Sequence, residues 1–334
     1  MMTWLVALLA VVAVQHAAVH AYTSERYEAG SANIYIPEPS DNQTAQPALV
    51  LELSGRCQSG RDVERALNFR RLVDTKNFVL IVPEARRNTA FCPTCGPPFF
   101  GGPSCQAWAA SPACCANDGV VPTLENRASF EPRDDVTYLH DMIKHAVSNY
   151  NADARKIYVF GYSAGGFMAH RLACEKSTEI AAIFSLTGGG IVEPGLCAAW
   201  NNTTAGSPVA VAHAHPMRDA VFPADGGTFD GAPTPSANET VSGWAEFNGC
   251  EGGVQVINGL DLFRSGGLFA RGQDQDTSRV AFNNCGDGGN VEFWTIPSGT
   301  HVGVVTQNRP ALAESILEFF YANPKPNSLA MLVN

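Results

Sequence analysis

Two hydrophobic periods alternate along this chain. Short runs that are apolar at nearly every position stand at 32–36, 48–53, 78–82, 156–160, 181–186, 208–213 and 291–296. Runs of that length, rich in aliphatic and aromatic residues, predict strands buried on both faces. Between them, apolar residues recur three and four positions apart, which predicts helices over 63–76, 134–150, 237–247 and 309–321, and one directly after residue 163. In the clearest of these, 134–150, Asp134 or Asp135 caps the start, and Val136, Leu139, Ile143, Ala146, Val147 and Tyr150 line one face. Strands alternating with helices imply a mostly parallel sheet with helices on both faces, an α/β fold whose strand ends carry the chemically active loops.

The segment 86–130 interrupts this rhythm. It is rich in Gly, Pro and Cys and contains Phe99, Phe100 and Trp108. A loop of this length inside a compact domain is usually functional or disordered, and its cysteines argue against disorder. Two readings stand: an insertion that covers one side of a pocket and offers it aromatic surface, or a cysteine-stapled surface loop.

Candidate chemistry enters at Gly161-Tyr162-Ser163-Ala164-Gly165-Gly166. The apolar run 157–160 before it and the helical spacing of Phe167, Met168, Arg171 and Leu172 after it predict strand, sharp turn and helix, the setting of a nucleophile elbow. A serine hydroxyl needs exposure and a partner base, and the helix after it points its amides at the spot where negative charge would form. In folds built around such an elbow the triad follows the chain order Ser, acid, His. His301, just past the run 291–296, is late enough to be the base; His170 lies only two turns from the serine. The acid candidate is Asp219, which follows the run 208–213, with Asp225 and Asp230 as rivals. His213 and His215 lack further metal ligands and are expected to pack or hydrogen-bond around the acid loop. For the oxyanion, one donor is expected from the Ala164 amide and the other from the loop after 48–53, with the Arg56 amide ahead of that of Cys57.

With these pieces in hand, the chain resembles the polyhydroxybutyrate depolymerase-like esterases, a group that includes secreted feruloyl and acetylxylan esterases. The resemblance rests on Leu53-Ser54-Gly55-Arg56-Cys57-Gln58, Trp108 with Cys114-Cys115 and Asp134-Asp135-Val136, and the elbow with Arg171-Leu172-Ala173-Cys174-Glu175. The Asp219 loop with Gly226-Gly227, the stretch from Thr240 to Cys250, and Gly299-Thr300-His301 also carry it. It implies an α/β-hydrolase fold with a Cys-rich insertion, a serine carboxylic-ester hydrolase working through an acyl-enzyme, and no cofactor. As substrates it implies feruloyl or acetyl esters on polysaccharide first and short polyesters second. Two departures bear on substrate: relatives carry His-Gly-Cys in the first loop, where this chain has Ser54-Gly55-Arg56, and Trp-Pro after the histidine, where it has Val302-Gly303-Val304. A reading of another class is a hydrolase-fold protein that binds without catalysis.

The remaining features concern compartment and partners. Residues 1–21 carry an apolar core that ends in Val19-His20-Ala21 and are expected to be a cleaved signal peptide, leaving 22–334 as a single catalytic domain secreted from the cell. The chain has 10 cysteines, which suits an oxidising compartment. Of their pairings we expect Cys250 with Cys285, which bracket the segment between a helix end and the last strand, and Cys174 with Cys197 around the run 181–186. Cys57, Cys92, Cys95, Cys105, Cys114 and Cys115 are left to bond among themselves. Cys92 and Cys95 have no second pair at zinc-finger spacing, so no metal is expected. Asn42, Asn201, Asn202 and Asn238 head N-glycosylation patterns. A net charge of −10 without a basic cluster disfavours nucleic acid and anionic membranes as partners.

Overall fold

The computed structural model describes residues 22–28, 31–39, 45–88, 105–111, 114–115, 134–190, 206–229, 232–263 and 276–326. The expected signal peptide, Cys92, Cys95, Cys197, Asp230, Asn42, Asn201 and Asn202 lie outside them.

Every buried run of the sequence becomes a strand of one sheet. In chain order the strands are β1 (Tyr22–Tyr27), β2 (Ala32–Pro37), β3 (Ala48–Leu53) and β4 (Phe78–Pro83), then the short β5 (Arg86–Asn88), β6 (Cys105–Ala107), β7 (Ala109–Ser111) and β8 (Cys114–Cys115). They continue with β9 (Ile157–Tyr162), β10 (Ala182–Leu186), β11 (Ala210–Pro216), β12 (Gly227–Phe229), β13 (Ala232–Thr234), β14 (Val254–Leu260), β15 (Thr277–Phe282) and β16 (Val291–Ile296). The main sheet runs β1-β2-β4-β3-β9-β10-β11-β16-β15-β14. From β4 to β16 neighbours are parallel, whereas β1, β2, β14 and β15 form antiparallel margins.

Among the described residues the helices are α1 (Gly60–Leu67), α2 (Val73–Lys76), α3 (Asp135–Asn149), α4 (Ala164–Glu175), α5 (Ala237–Phe247), α6 (Gly303–Thr306) and α7 (Pro310–Ala322). Alternation along the strands splits the core in two. Leu49, Leu51, Leu53, Val159 and Val211 pack with Leu139 and Ile143 of α3, Phe167 and Leu172 of α4, and Trp244 of α5. On the opposite face, Val50, Leu80, Tyr158 and Phe160 meet Val63 and Leu67 of α1 and Leu312, Ile316 and Phe320 of α7. Each fully buried Leu, Ile or Phe here contributes about 1.5–3 kcal/mol by leaving water.

One predicted helix is broken in two. The stretch 63–76 starts earlier, at Gly60, because Ser59 and Asp62 form a reciprocal capping box. It ends at Asn68, whose left-handed backbone (φ 57°) returns its N–H to the Glu64 carbonyl, and a 3₁₀ turn at Phe69–Leu72 then leads into α2. Apolar spacing continues across Asn68, so periodicity alone joins what the cap separates. By contrast α3 begins one residue inside the predicted span because Asp134 caps it by accepting from the Val136 amide.

Cys250 and Cys285 are disulfide-bonded, closing the segment between α5 and β16 as expected. Cys57, Cys114 and Cys174 are disulfide-bonded too.

Candidate active site

Four parallel strands, β3, β9, β11 and β16, deliver the predicted residues from their carboxyl ends. Ser163 lies between β9 and α4 with φ 54° and ψ −119°, a backbone that an L residue adopts only under constraint. Close approach enforces it: a Cβ on Gly161 would meet the Gly165 carbonyl oxygen at 2.1 Å, and one on Gly165 would meet the Leu53 carbonyl oxygen at 2.3 Å. The Ser163 amide is tied to the Leu186 carbonyl at the end of β10 (2.9 Å). Ala164 opens α4, so its N–H belongs to the first turn that no helical carbonyl reaches.

Asp219 and His301 converge on that serine. His301 Nδ1 lies 2.8 Å from Asp219 Oδ2, and its Nε2 lies 2.9 Å from Ser163 Oγ. Because the carboxylate only accepts, Nδ1 carries the proton and Nε2 is left to accept from the hydroxyl. All three side chains belong to buried residues. The second Asp219 oxygen, Oδ1, accepts from the amides of Val221 (2.8 Å) and Phe222 (2.9 Å), which fixes the carboxylate's orientation. Of its rivals, Asp225 is solvent-exposed. Tyr162 adds a brace that the motif does not announce: its hydroxyl donates to the His301 carbonyl at 2.9 Å. Burial, and after it the Asp219 carboxylate, pushes that phenol well above its ordinary range, so it stays a donor.

The first loop is held from an unexpected side. Trp108 donates its indole N–H to the Ser54 carbonyl (2.9 Å), and the Cys57 amide donates to the Gln106 carbonyl (2.8 Å). The Cys57 N–H is therefore committed elsewhere, which removes it as an oxyanion donor and leaves Arg56 as the loop's candidate. Glu84 Oε2 adds two more ties, accepting from Gly60 N (3.0 Å) and Gln106 Nε2 (3.1 Å). Trp108 itself is fully buried and offers no aromatic surface to a ligand. Its neighbour Ala109 docks on two helices: Arg171 of α4 donates to the Ala109 carbonyl, and the Ala109 amide donates to Asp135 Oδ2 at the start of α3 (2.8 Å). Phe99 and Phe100 lie outside the described residues.

Beside the triad, Phe222 packs at a tilt against His301, Phe167 and Phe229, with ring centroids 5.6, 4.9 and 4.4 Å away. The Arg56 guanidinium lies 5.9 Å from the Phe229 ring, a cation resting on an aromatic face across from the acid loop. Beneath that loop, His213 Nε2 lies 3.2 Å from His215 Nδ1, and His215 Nε2 lies 2.8 Å from the Phe222 carbonyl. Burial is the first cause that lowers the affinity of His213 and His215 for protons. Among the described residues no group of three His, Cys, Asp or Glu is arranged to hold a metal ion. No helix among them is long and apolar enough to cross a membrane.

No protein-family model matches the chain. Among solved structures, an acetyl xylan esterase from Aspergillus awamori superposes with a TM-score of 0.54 over 90% of this chain and 99% of its own, at 14% identity. The fold is that of the α/β-hydrolases. A thermostable esterase gives 0.48 over 91% of this chain and 63% of its own, at 14% identity. In sequence, feruloyl esterase B of Piromyces equi is 29% identical over 160 residues, which are 45% of this chain. The matched part spans 26% of that relative's length. At 14% identity the structural likeness shows the fold alone, and neither it nor the local feruloyl esterase match supports the polyhydroxybutyrate depolymerase part of the resemblance.

Proposed function

We propose that this protein is a serine carboxylic-ester hydrolase that works through an acyl-enzyme. The observation that carries the reading is the unbroken hydrogen-bonded series Asp219, His301, Ser163 at the mouth of the parallel sheet. In this reading His301 takes the Ser163 proton as the oxygen attacks an ester carbonyl, and Asp219 stabilises the imidazolium. The amides of Ala164 and Arg56 receive the oxyanion. His301 then returns the proton to the leaving alcohol, and water, activated the same way, releases the acid.

The substrates best supported are feruloyl or acetyl esters on plant-type polysaccharide, and the local match to a feruloyl esterase favours them over short polyesters. Secretion by way of residues 1–21, with glycosylation at one or more of the four acceptor patterns, belongs to the same reading. Asn238 is exposed in the first turn of α5.

The test compares methyl ferulate, acetylated xylan and a hydroxybutyrate oligomer with wild type and Ser163→Ala side by side. The expected outcome is hydrolysis that disappears in the folded variant, with the highest kcat/KM on one of the first two. Full activity in Ser163→Ala removes the mechanism; preference for the oligomer reverses the substrate ranking. A fluorophosphonate probe that leaves wild-type Ser163 unlabelled would support a binding protein instead.

A further inference from the structure

Three buried histidines and one tryptophan lie behind the acid turn, and their hydrogen bonds have a forced direction. Trp244 of α5 has only a donor, and its Nε1 lies 2.9 Å from His170 Nδ1 on the elbow helix. His170 Nδ1 is therefore bare and its proton sits on Nε2. At the far end, the Phe222 carbonyl only accepts, so His215 carries its proton on Nε2 and leaves Nδ1 to receive. His213 must then donate from Nε2 to His215 and expose a bare Nδ1. This assignment needs neutral rings, and burial supplies them, holding His170 at a pKa of about 3 and His213 well below the ordinary range.

The two ends left over match. His170 Nε2, a donor, and His213 Nδ1, an acceptor, are both buried and make no other hydrogen bond, and their rings stand 5.7 Å apart centre to centre. A buried donor and a buried acceptor left unmade are each costly, and joining them removes both costs. We propose that Trp244, His170, His213 and His215 form one directional hydrogen-bond chain, closed between His170 and His213 directly or through one water, that positions the acid turn for catalysis. These are positioning residues: they touch no reacting atom.

The chain acts at its last link. His215 fixes the carbonyl of Phe222, whose own amide is bound by Asp219 Oδ1. With its single proton committed to Phe222, His215 Nε2, 3.9 Å from Asp219 Oδ2, leaves that oxygen to His301. The chain also ties the nucleophile's helix to the acid's turn, so the two reacting halves share one internal reference.

The proposal rests on the esterase reading for its kinetic part only. Long-range proton–nitrogen NMR of the intact protein at neutral pH is expected to show His170, His213 and His215 as Nε2–H tautomers, with protected protons on His170 and His213. An Nδ1–H tautomer at His170 or His213 overturns the chain whatever the activity. With p-nitrophenyl acetate, His215→Phe is expected to lower kcat per titrated serine about tenfold, the worth of one hydrogen bond, with KM little changed. His215→Gln, which keeps a donor toward Phe222, is expected to recover most of it. An unchanged kcat per titrated site in His215→Phe overturns the positioning role. Wild-type protein inert toward every ester would remove the function instead, and the tautomers would still decide the chain.

Discussion

The indole N–H of Trp108 and the main-chain carbonyl of Ser54, 54 residues apart in sequence, meet at 2.9 Å in the protein interior. Through this bond the cysteine-rich segment supports the loop proposed to supply the second oxyanion donor. Trp108→Phe keeps most of the packing and leaves the Ser54 carbonyl without its partner, a loss of about 1–3 kcal/mol. The expected result is lower stability in urea and a fall in kcat larger than the change in KM, read by denaturation and steady-state kinetics.

Close approach at the elbow predicts a steep cost. In Gly165→Ala the new methyl group meets backbone, the Leu53 carbonyl oxygen, with no flexible neighbour to yield. We expect destabilisation of about 3 kcal/mol or more and loss of ester hydrolysis. Thermal melting and activity measured on the same preparation check this, and a normally active, equally stable variant would contradict the strained turn.

Asp219 and Asp225 separate sharply. Asp219→Asn keeps the shape of the turn but offers His301 an amide that no longer compels a proton on Nδ1, so kcat should fall on the order of a thousandfold or more. Asp225 is exposed, and Asp225→Asn should leave kcat within about twofold, as surface changes away from a site generally do. Kinetics on a p-nitrophenyl ester distinguishes them, and equal effects would reassign the acid.

Stability should depend on pH through two opposed sets of groups. Burial lowers the folded-state pKa of His170, His213 and His215, so the unfolded chain takes up protons below the ordinary value of 6.5 while the fold refuses them. Their contribution is present above 6.5 and is lost as pH falls, at about 1.4 kcal/mol per pH unit for each proton. Glu52 behaves oppositely. It is wholly buried on β3, and burial first, then the neighbouring Glu64, raises its pKa well above 4.5. The unfolded chain releases that proton first, so stability is lost as pH rises from 4.5 toward the folded value. Glu52→Gln should therefore gain stability relative to wild type as pH increases from 4 to about 8, with little gain at the acid end. Denaturation midpoints across that range would show it, and a pH-independent difference would place the Glu52 charge elsewhere.

How much was legible in the sequence depended on what kind of interaction decided each feature. Strands such as β3 and β9, covered on both faces, announce themselves through composition alone. The marginal β1, whose sequence is Tyr-Thr-Ser-Glu-Arg-Tyr, and β14, whose residues Val254 and Val256 are exposed, do not, because a sheet edge bonds through backbone and asks little of side chains. Ser163, Asp219 and His301 were found by motif and chain order, and the structure brings these three into hydrogen-bond contact. The bracing around them was not readable: Trp108 to Ser54 and Tyr162 to the His301 carbonyl are side-chain bonds to backbone across long separations, with no local pattern. The break at Asn68 escaped for a related reason, since a left-handed residue is a backbone choice that hydrophobic spacing does not record.

The backbone at Ser163 carries a last implication for anyone who would engineer this molecule. A residue held at φ 54° is one that glycine would occupy with less effort. Screening variants for heat resistance alone would therefore reward the loss of the hydroxyl, and robustness and turnover must be selected together in this scaffold.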